Sequence, residues 1–343
     1  MTPAVASSLS CSPWPGKFSV RRFSRAGIFA FVVFLTMASF PSQARAWGCE
    51  GHRVVALLAE KHLSPHALAM ARKILSDSPI DPSLSRYCKD ISSDPLVDAS
   101  TWPDDMRDLR PETAPWHYVD IPLGTTHRNV EKFCDPKEGC VTRALRDELA
   151  VLRSAHANPK DRADALRFLI HFVGDLHQPL HAATNNDEGG NCVPVTFFNT
   201  APRLKDPPQD ESYTPNLHGV WDTNILGKAT TGKTIDQVAA ELDAAFRKKI
   251  TGWQKGSPNI DAWAWESYKL ATKNVYGKLP VHIAVETPQL VKTCADDNHV
   301  GARNVKRDER LEDPYQAMAA PIVREQIAQA GARLAHLLNR LWP

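Results

Sequence analysis

The segment 162–181, RADALRFLIHFVGDLHQPLH, constrains the fold more than any other part of the chain. Leu166, Leu169, Phe172, Val173 and Leu176 recur at helical spacing, which predicts a helix from about Arg162 to His177 with a broad apolar face. His171 and Asp175 are four residues apart, so they share one side of that helix and sit inside its apolar stripe. An ionised carboxylate there is strongly unfavourable unless a partner or a metal neutralises it. The helix must be buried, and its carboxylate needs a buried partner. Gly174, between the two, allows a second backbone to come close.

The rest of the chain fits an all-α class: one mostly helical domain with long loops. A first helix is expected from about His52 to His62. A second starts at Ser64-Pro65, a capping serine followed by a proline in the first turn. Residues 87–140 are rich in Pro, Asp and aromatics and read as a long ordered loop. Another helix follows Thr142. Val193–Phe198 is expected to form a short strand or β-hairpin, and Thr200–Pro215 a polar surface excursion. Helices resume near His218, at Ile235–Ile250, at Ile260–Val275 and at Ile322–Leu341.

The first 46 residues read as a removable secretory signal, which leaves one domain over 47–343. Lys17, Arg21, Arg22 and Arg25 precede an apolar run from about Gly27 to Phe40, and Ala44-Arg45-Ala46 supplies the small-residue end. The apolar run is shorter than the roughly 20 residues a membrane span needs. An uncleaved anchor is the alternative. The full chain has 41 basic and 39 acidic residues. Removing the segment and its five basic residues leaves 36 basic against 39 acidic. A protein that holds duplex DNA through many phosphate contacts normally shows a basic face, and this sequence has no obvious basic run. If it binds nucleic acid, bound metal must supply much of the positive charge.

Cys11 leaves with the signal, and the six remaining cysteines of an exported chain read as disulfides. Cys134 and Cys140 close a short loop and are the expected pair. The pairing of Cys49, Cys88, Cys192 and Cys294 stays open. No Cys-x-x-Cys occurs, which argues against zinc-thiolate sites.

All thirteen histidines lie after the signal. His218 and Asp222, in LHGVWD, repeat the four-residue spacing of His171 and Asp175. Imidazole nitrogen and carboxylate oxygen are zinc ligands, and this spacing lets one helix present two of them. Either pair alone could be a satisfied His–Asp hydrogen bond. Two such pairs together with His181 point to metal. Asp104 in STWPD and His117 in PWHYVD add a carboxylate and an imidazole among aromatics.

Cleavage after Ala46 exposes Trp47, with His52 five positions on. With these residues in place, the sequence resembles the secreted, zinc-dependent, single-strand-specific nucleases of fungi and plants, the S1/P1 nuclease family. Trp-x-Asp, an aromatic-flanked His, His-Phe-x-Gly-Asp with Gln-Pro-Leu-His, Gly-Gly-Asn and Leu-His-x-x-Trp-Asp occur in family order. The resemblance implies the helical fold shared with zinc-dependent phospholipase C, with disulfide-linked loops. It implies three zinc ions. Asp104, His117, His171 and Asp175 would hold one. The free α-amino nitrogen and carbonyl oxygen of Trp47, His52 and the other oxygen of Asp175 would hold a second. His181, His218 and Asp222 would hold a third, more exposed ion. Among the catalytic residues Asp104 and Asp175, the resemblance also places Arg107, set to meet substrate phosphate. Tyr118 and Asp120 would contact the base, and Asn191 belongs to the loop beside the third ion. His177 falls where the family need not have histidine.

The implied activity is endonucleolytic and 3′-nucleotidase cleavage of single-stranded DNA and RNA to 5′-phosphorylated products. The implied partners are single-stranded nucleic acid or 3′-nucleotides as substrate, with no stable membrane association. The expected enzyme is a monomer, periplasmic or secreted. A zinc-dependent phospholipase C, which carries glutamate where this chain has Asp222, is the alternative enzyme. A non-catalytic zinc-binding envelope protein is the alternative outside enzymes. Three protein ligands at the exposed ion favour chemistry, because a structural zinc is usually fully ligated by protein.

Overall fold

A computed structural model of the chain describes residues 47–205, 212–288, 293–295, 300 and 303–343. The signal segment 1–46, Cys11 included, lies outside the described residues.

The first half of the chain forms helices α1 (Gly48–His62), α2 (Pro65–Asp77), α5 (Val141–Arg153) and α6 (Pro159–Leu176), with the short α3 (Pro95–Ala99) and α4 (Trp102–Met106) between α2 and α5. The second half adds α7 (Leu217–Gly219), α8 (Ile225–Ala229), α9 (Ile235–Trp253), α10 (Ile260–Leu270) and α11 (Asp313–Leu341). The predicted serine cap of α2 forms, with the Ser64 side chain accepting from the Ala67 amide. Three helices start earlier than their apolar patterns suggest, α1 at Gly48 rather than at about His52. Asn158 caps α6, so its first turn is the polar Pro159–Arg162, which carries no apolar signal. The pattern places the C-terminal helix at Ile322–Leu341, but α11 begins at Asp313, with Pro314 in its first turn, and runs on through Pro321.

α6 lies at the centre, packed on α5, α2 and α11, and every residue from Ala165 to Leu176 is buried. α1 packs against α11 and α9. The approach of α1 to α11 is close enough that a Cβ on Gly331 would meet Leu58 Cβ at 2.5 Å, so glycine is required there. The region 87–140 is a long loop, as expected, but it contains α3, α4 and 3-10 turns at Pro111–His117 and Val130–Phe133.

The few strands are short. β1 (Val195–Phe197) is a strand but not a hairpin: it pairs in parallel with β4 (Glu309–Leu311). The excursion near 200–215 holds a small antiparallel pair, β2 (Arg203–Leu204) and β3 (Tyr213–Thr214). The expected Cys134–Cys140 disulfide is present. The open pairings are Cys49–Cys88 and Cys192–Cys294. No helix among the described residues is long and apolar enough to cross a membrane.

Candidate metal centre

α6 carries His171 and Asp175 into the middle of the molecule, and three other segments bring side chains to them. His171 and Asp175 are completely buried. α1 brings His52, whose ring stacks on His171 with centroids 3.8 Å apart. The turn 111–117 brings His117, and α4 brings Asp104. α4 is itself anchored: Arg86 Nε donates to Asp105 Oδ2 at 2.6 Å, and its guanidinium also reaches Asp98 at 3.2 Å.

Asp175 divides its two oxygens. Oδ2 stands 2.9 Å from His117 Nδ1 and 3.3 Å from His171 Nε2. Oδ1 stands 3.3 Å from His52 Nε2. Asp104 Oδ1 completes the first group at 4.0 Å from His117 Nδ1 and 3.9 Å from His171 Nε2.

A second group lies on the turn after α6 and on α7. The 3-10 turn Pro179–Ala182 presents His181. α7 continues through a π-turn, Val220–Asn224, so His218 and Asp222 sit on a widened helix. Such π insertions are common at functional sites. His181 Nε2 and His218 Nε2 are 3.1 Å apart, and Asp222 Oδ2 is 3.4 Å from His218 Nε2.

The donors fit a divalent ion. Nitrogens bound tetrahedrally at about 2.0–2.1 Å stand about 3.3 Å apart, close to the separations found here. His52 Nε2, Asp175 Oδ1 and Asp222 Oδ2 are buried with no hydrogen-bond partner. Burial pushes the Asp222 carboxyl well above its usual range, with Asp175 and Asp104 adding to the rise. Burial and the neighbouring His181 hold His218 well below its usual value. Buried carboxyl oxygens and imidazole nitrogens gathered in this way are a coordination set that suits a cation.

Backbone carbonyls set the ring orientations. His171 Nδ1 donates to Ser100 O at 2.7 Å, His181 Nδ1 to His117 O at 2.8 Å, and His218 Nδ1 to Gly189 O at 2.7 Å. Each leaves Nε2 with its lone pair turned into the cluster, the arrangement that metal-binding histidines use.

The sequence profile described as S1/P1 Nuclease matches residues 47–343. The chain belongs to the S1/P1 nuclease family. It is 29% identical to Endonuclease 4 of Arabidopsis thaliana, over 91% of this chain and 94% of that one. It is 26% identical to Nuclease S1 of Aspergillus oryzae, over 85% and 91% of the two chains. To Nuclease P1 of Penicillium citrinum it is 25% identical, over 86% and 97%. An S1/P1 nuclease is a hydrolase of phosphodiester bonds, and here it presents candidate His/Asp metal-binding clusters.

Other predicted residues of this S1/P1 nuclease lie close in the chain to the segments that carry the clusters, with Tyr118 next to His117 and Asn191 two residues after Gly189. Trp47, where the family match begins, is buried and donates its indole N–H to Gly174 O at 2.7 Å. Its carbonyl accepts from the Gly51 amide at 3.1 Å. Arg107 Nη1 lies 3.8 Å from Asp104 Oδ1. Tyr118 is partly exposed. Asp120 stays reachable by solvent, yet the protein around it and the Asp187 carboxylate push its carboxyl up to about 7. Asn191 Nδ2 donates to Glu188 O at 2.9 Å. His177 lies apart from both clusters: its Nδ1 donates to Val173 O, and Arg333 donates to its Nε2.

Sequence reasoning gave no role to Gln178, whose Nε2 donates to Asp222 Oδ1 at 2.6 Å while its Oε1 accepts from the Leu180 amide. The signal was its place inside the His-Gln-Pro-Leu-His run. The carbonyls of Ser100 and Gly189 left no signal, since any residue supplies one.

Proposed function

We propose that this chain, processed between Ala46 and Trp47, is an exported monomeric nuclease that uses three zinc ions to hydrolyse single-stranded DNA and RNA, with 3′-nucleotidase activity and 5′-phosphorylated products. The observation that carries the proposal is the division of Asp175 between two groups of imidazoles, with a third group of His181, His218 and Asp222 nearby.

Asp104, His117, His171 and Asp175 would hold one ion. Trp47, through its α-amino nitrogen and carbonyl oxygen, would hold a second with His52 and Asp175. His181, His218 and Asp222 would hold the third. Bound zinc lowers the pKa of water to about 7 and neutralises charge at phosphate oxygens. The protein contributes the rest. Asp175 fixes the spacing of two sites, and the three carbonyl-bound histidines are pre-oriented, so little reorganisation accompanies binding. Arg107, 3.8 Å from Asp104, would meet a substrate phosphate. Tyr118 offers a ring on which an unstacked base can lie, which favours single strands over paired ones. Asp120 would offer a polar contact near that ring, and Asn191 one on the loop beside His218.

A substrate panel tests this reading. The processed protein should cleave single-stranded DNA and RNA and 3′-nucleotides, and chelation should abolish all three activities until zinc is returned. Cleavage of phosphatidylcholine in preference to oligonucleotides, or hydrolysis unaffected by chelation, would contradict it.

A further inference from the structure

We propose that Asp187 and Tyr276 are a positioning pair that sets the His218 imidazole for the third metal position, an inference that rests on the zinc reading above. Neither residue belongs to a cluster. They act through the loop 185–192, which turns in an unusual conformation. Asn186 (φ 56°) and Glu188 (φ 52°) are left-handed without being glycine, and Gly189 (φ 59°) and Gly190 (φ 86°) continue the left-handed path. Residues with a Cβ disfavour that region, so such a loop persists only where its surroundings over-determine it.

Asp187 does this. Its buried Oδ1 accepts from the amides of Asn185 at 3.1 Å and Gly190 at 3.0 Å. The Tyr276 hydroxyl reaches both carboxylate oxygens, at 2.9 and 3.0 Å. A carboxylate offers only acceptors, which suits three converging donors. Asparagine would turn an NH2 group towards one of them.

The loop delivers two contacts to His218. The Gly189 carbonyl accepts from Nδ1 at 2.7 Å, and the Gly190 carbonyl accepts from the His218 amide at 3.3 Å. Ring and main chain are thus fixed together, with Nε2 facing His181 and Asp222. Gly189 cannot be replaced without moving this contact, because a Cβ there would stand 2.6 Å from Leu180 O. The chain of control runs from Tyr276 to Asp187, then through the Gly189 carbonyl to His218.

The test compares the processed protein with its Tyr276→Phe, Asp187→Asn and His218→Ala variants, and with Tyr268→Phe as a control. Tyr268 is also buried, and its hydroxyl bonds the carbonyls of Pro122 and Thr125 instead. Zinc affinity is read by chelator competition, and ring tautomers by the 15N shifts of His218 in metal-free protein. Tyr276→Phe and Asp187→Asn should keep two ions, bind the third about 10- to 100-fold more weakly, and show a mixed His218 tautomer. Tyr268→Phe should keep all three ions and the Nδ1–H form. If Tyr276→Phe and Asp187→Asn hold the third ion as wild type does, the positioning inference fails. It fails too if Tyr268→Phe weakens that ion equally. If wild type has no ion that His218→Ala removes, it is the zinc reading that fails.

Discussion

Asp175 and Gly174 make the centre of α6 two-sided. The carboxylate faces His117 and His171 with one oxygen and His52 with the other. Gly174 lets His52 approach: a Cβ at this position would lie 2.9 Å from His52 Nδ1. That ring cannot retreat freely, because it stacks on His171. Gly174→Ala should therefore separate helix stability from metal binding. Alanine favours a helix interior by about 1 kcal/mol over glycine, while the displaced His52 should lose the ion it shares with Asp175. Metal content should fall by one ion and hydrolysis by at least about tenfold. Unchanged metal content would show that His52 tolerates the displacement or holds no ion. Of these residues, His171 and Asp175 were legible in the sequence because their spacing is local to one helix. The oxygen-by-oxygen division of Asp175 came only from the family resemblance, since periodicity says nothing about partners on other elements.

At the scale of elements, legibility followed distance along the chain. α6 showed in its apolar stripe, and the His218–Asp222 pair in its four-residue spacing, although the π-turn that carries Asp222 has no such signal. The parallel β1–β4 pair joins segments more than a hundred residues apart, and the Asp187–Tyr276 contact joins a loop to a turn 89 residues later. Neither could be read from local pattern. α5 offers a test of element packing by pH. Removal from water pushes the Glu148 carboxyl up to about 7 from an ordinary 4.5, despite the opposing pull of Arg110. Between these values the folded chain holds a proton that the unfolded chain has released, so this residue makes stability fall as pH rises through the window. Glu148→Gln should raise thermal stability at pH 8 by more than at pH 5, as followed by unfolding midpoints. An equal effect at both pH values would mean that Glu148 is not displaced from its ordinary titration.

At the scale of the whole molecule, the proposed function joins processing to metal binding. A free α-amino group has a pKa near 8, so it can lose a proton and bind metal near neutral pH, which a peptide nitrogen cannot do. The family match begins at Trp47, the residue that cleavage after Ala46 would expose. A protein carrying one extra alanine before Trp47 should fold, bind fewer zinc ions and lose most hydrolysis. Full metal content and activity in that protein would refute the amino-terminal ligand. Processing after Ala46 would leave 36 basic against 39 acidic residues, and on the proposed reading bound metal supplies much of the attraction for a polyanion.

The most direct test is a zinc titration of the chelated, processed protein with and without Asp175→Asn, counted by elemental analysis. Wild type should take up three ions per chain, and the variant should lose two of them together while His181, His218 and Asp222 keep the third. Loss of a single ion would contradict a shared carboxylate, and no uptake by wild type would contradict the metal centre itself.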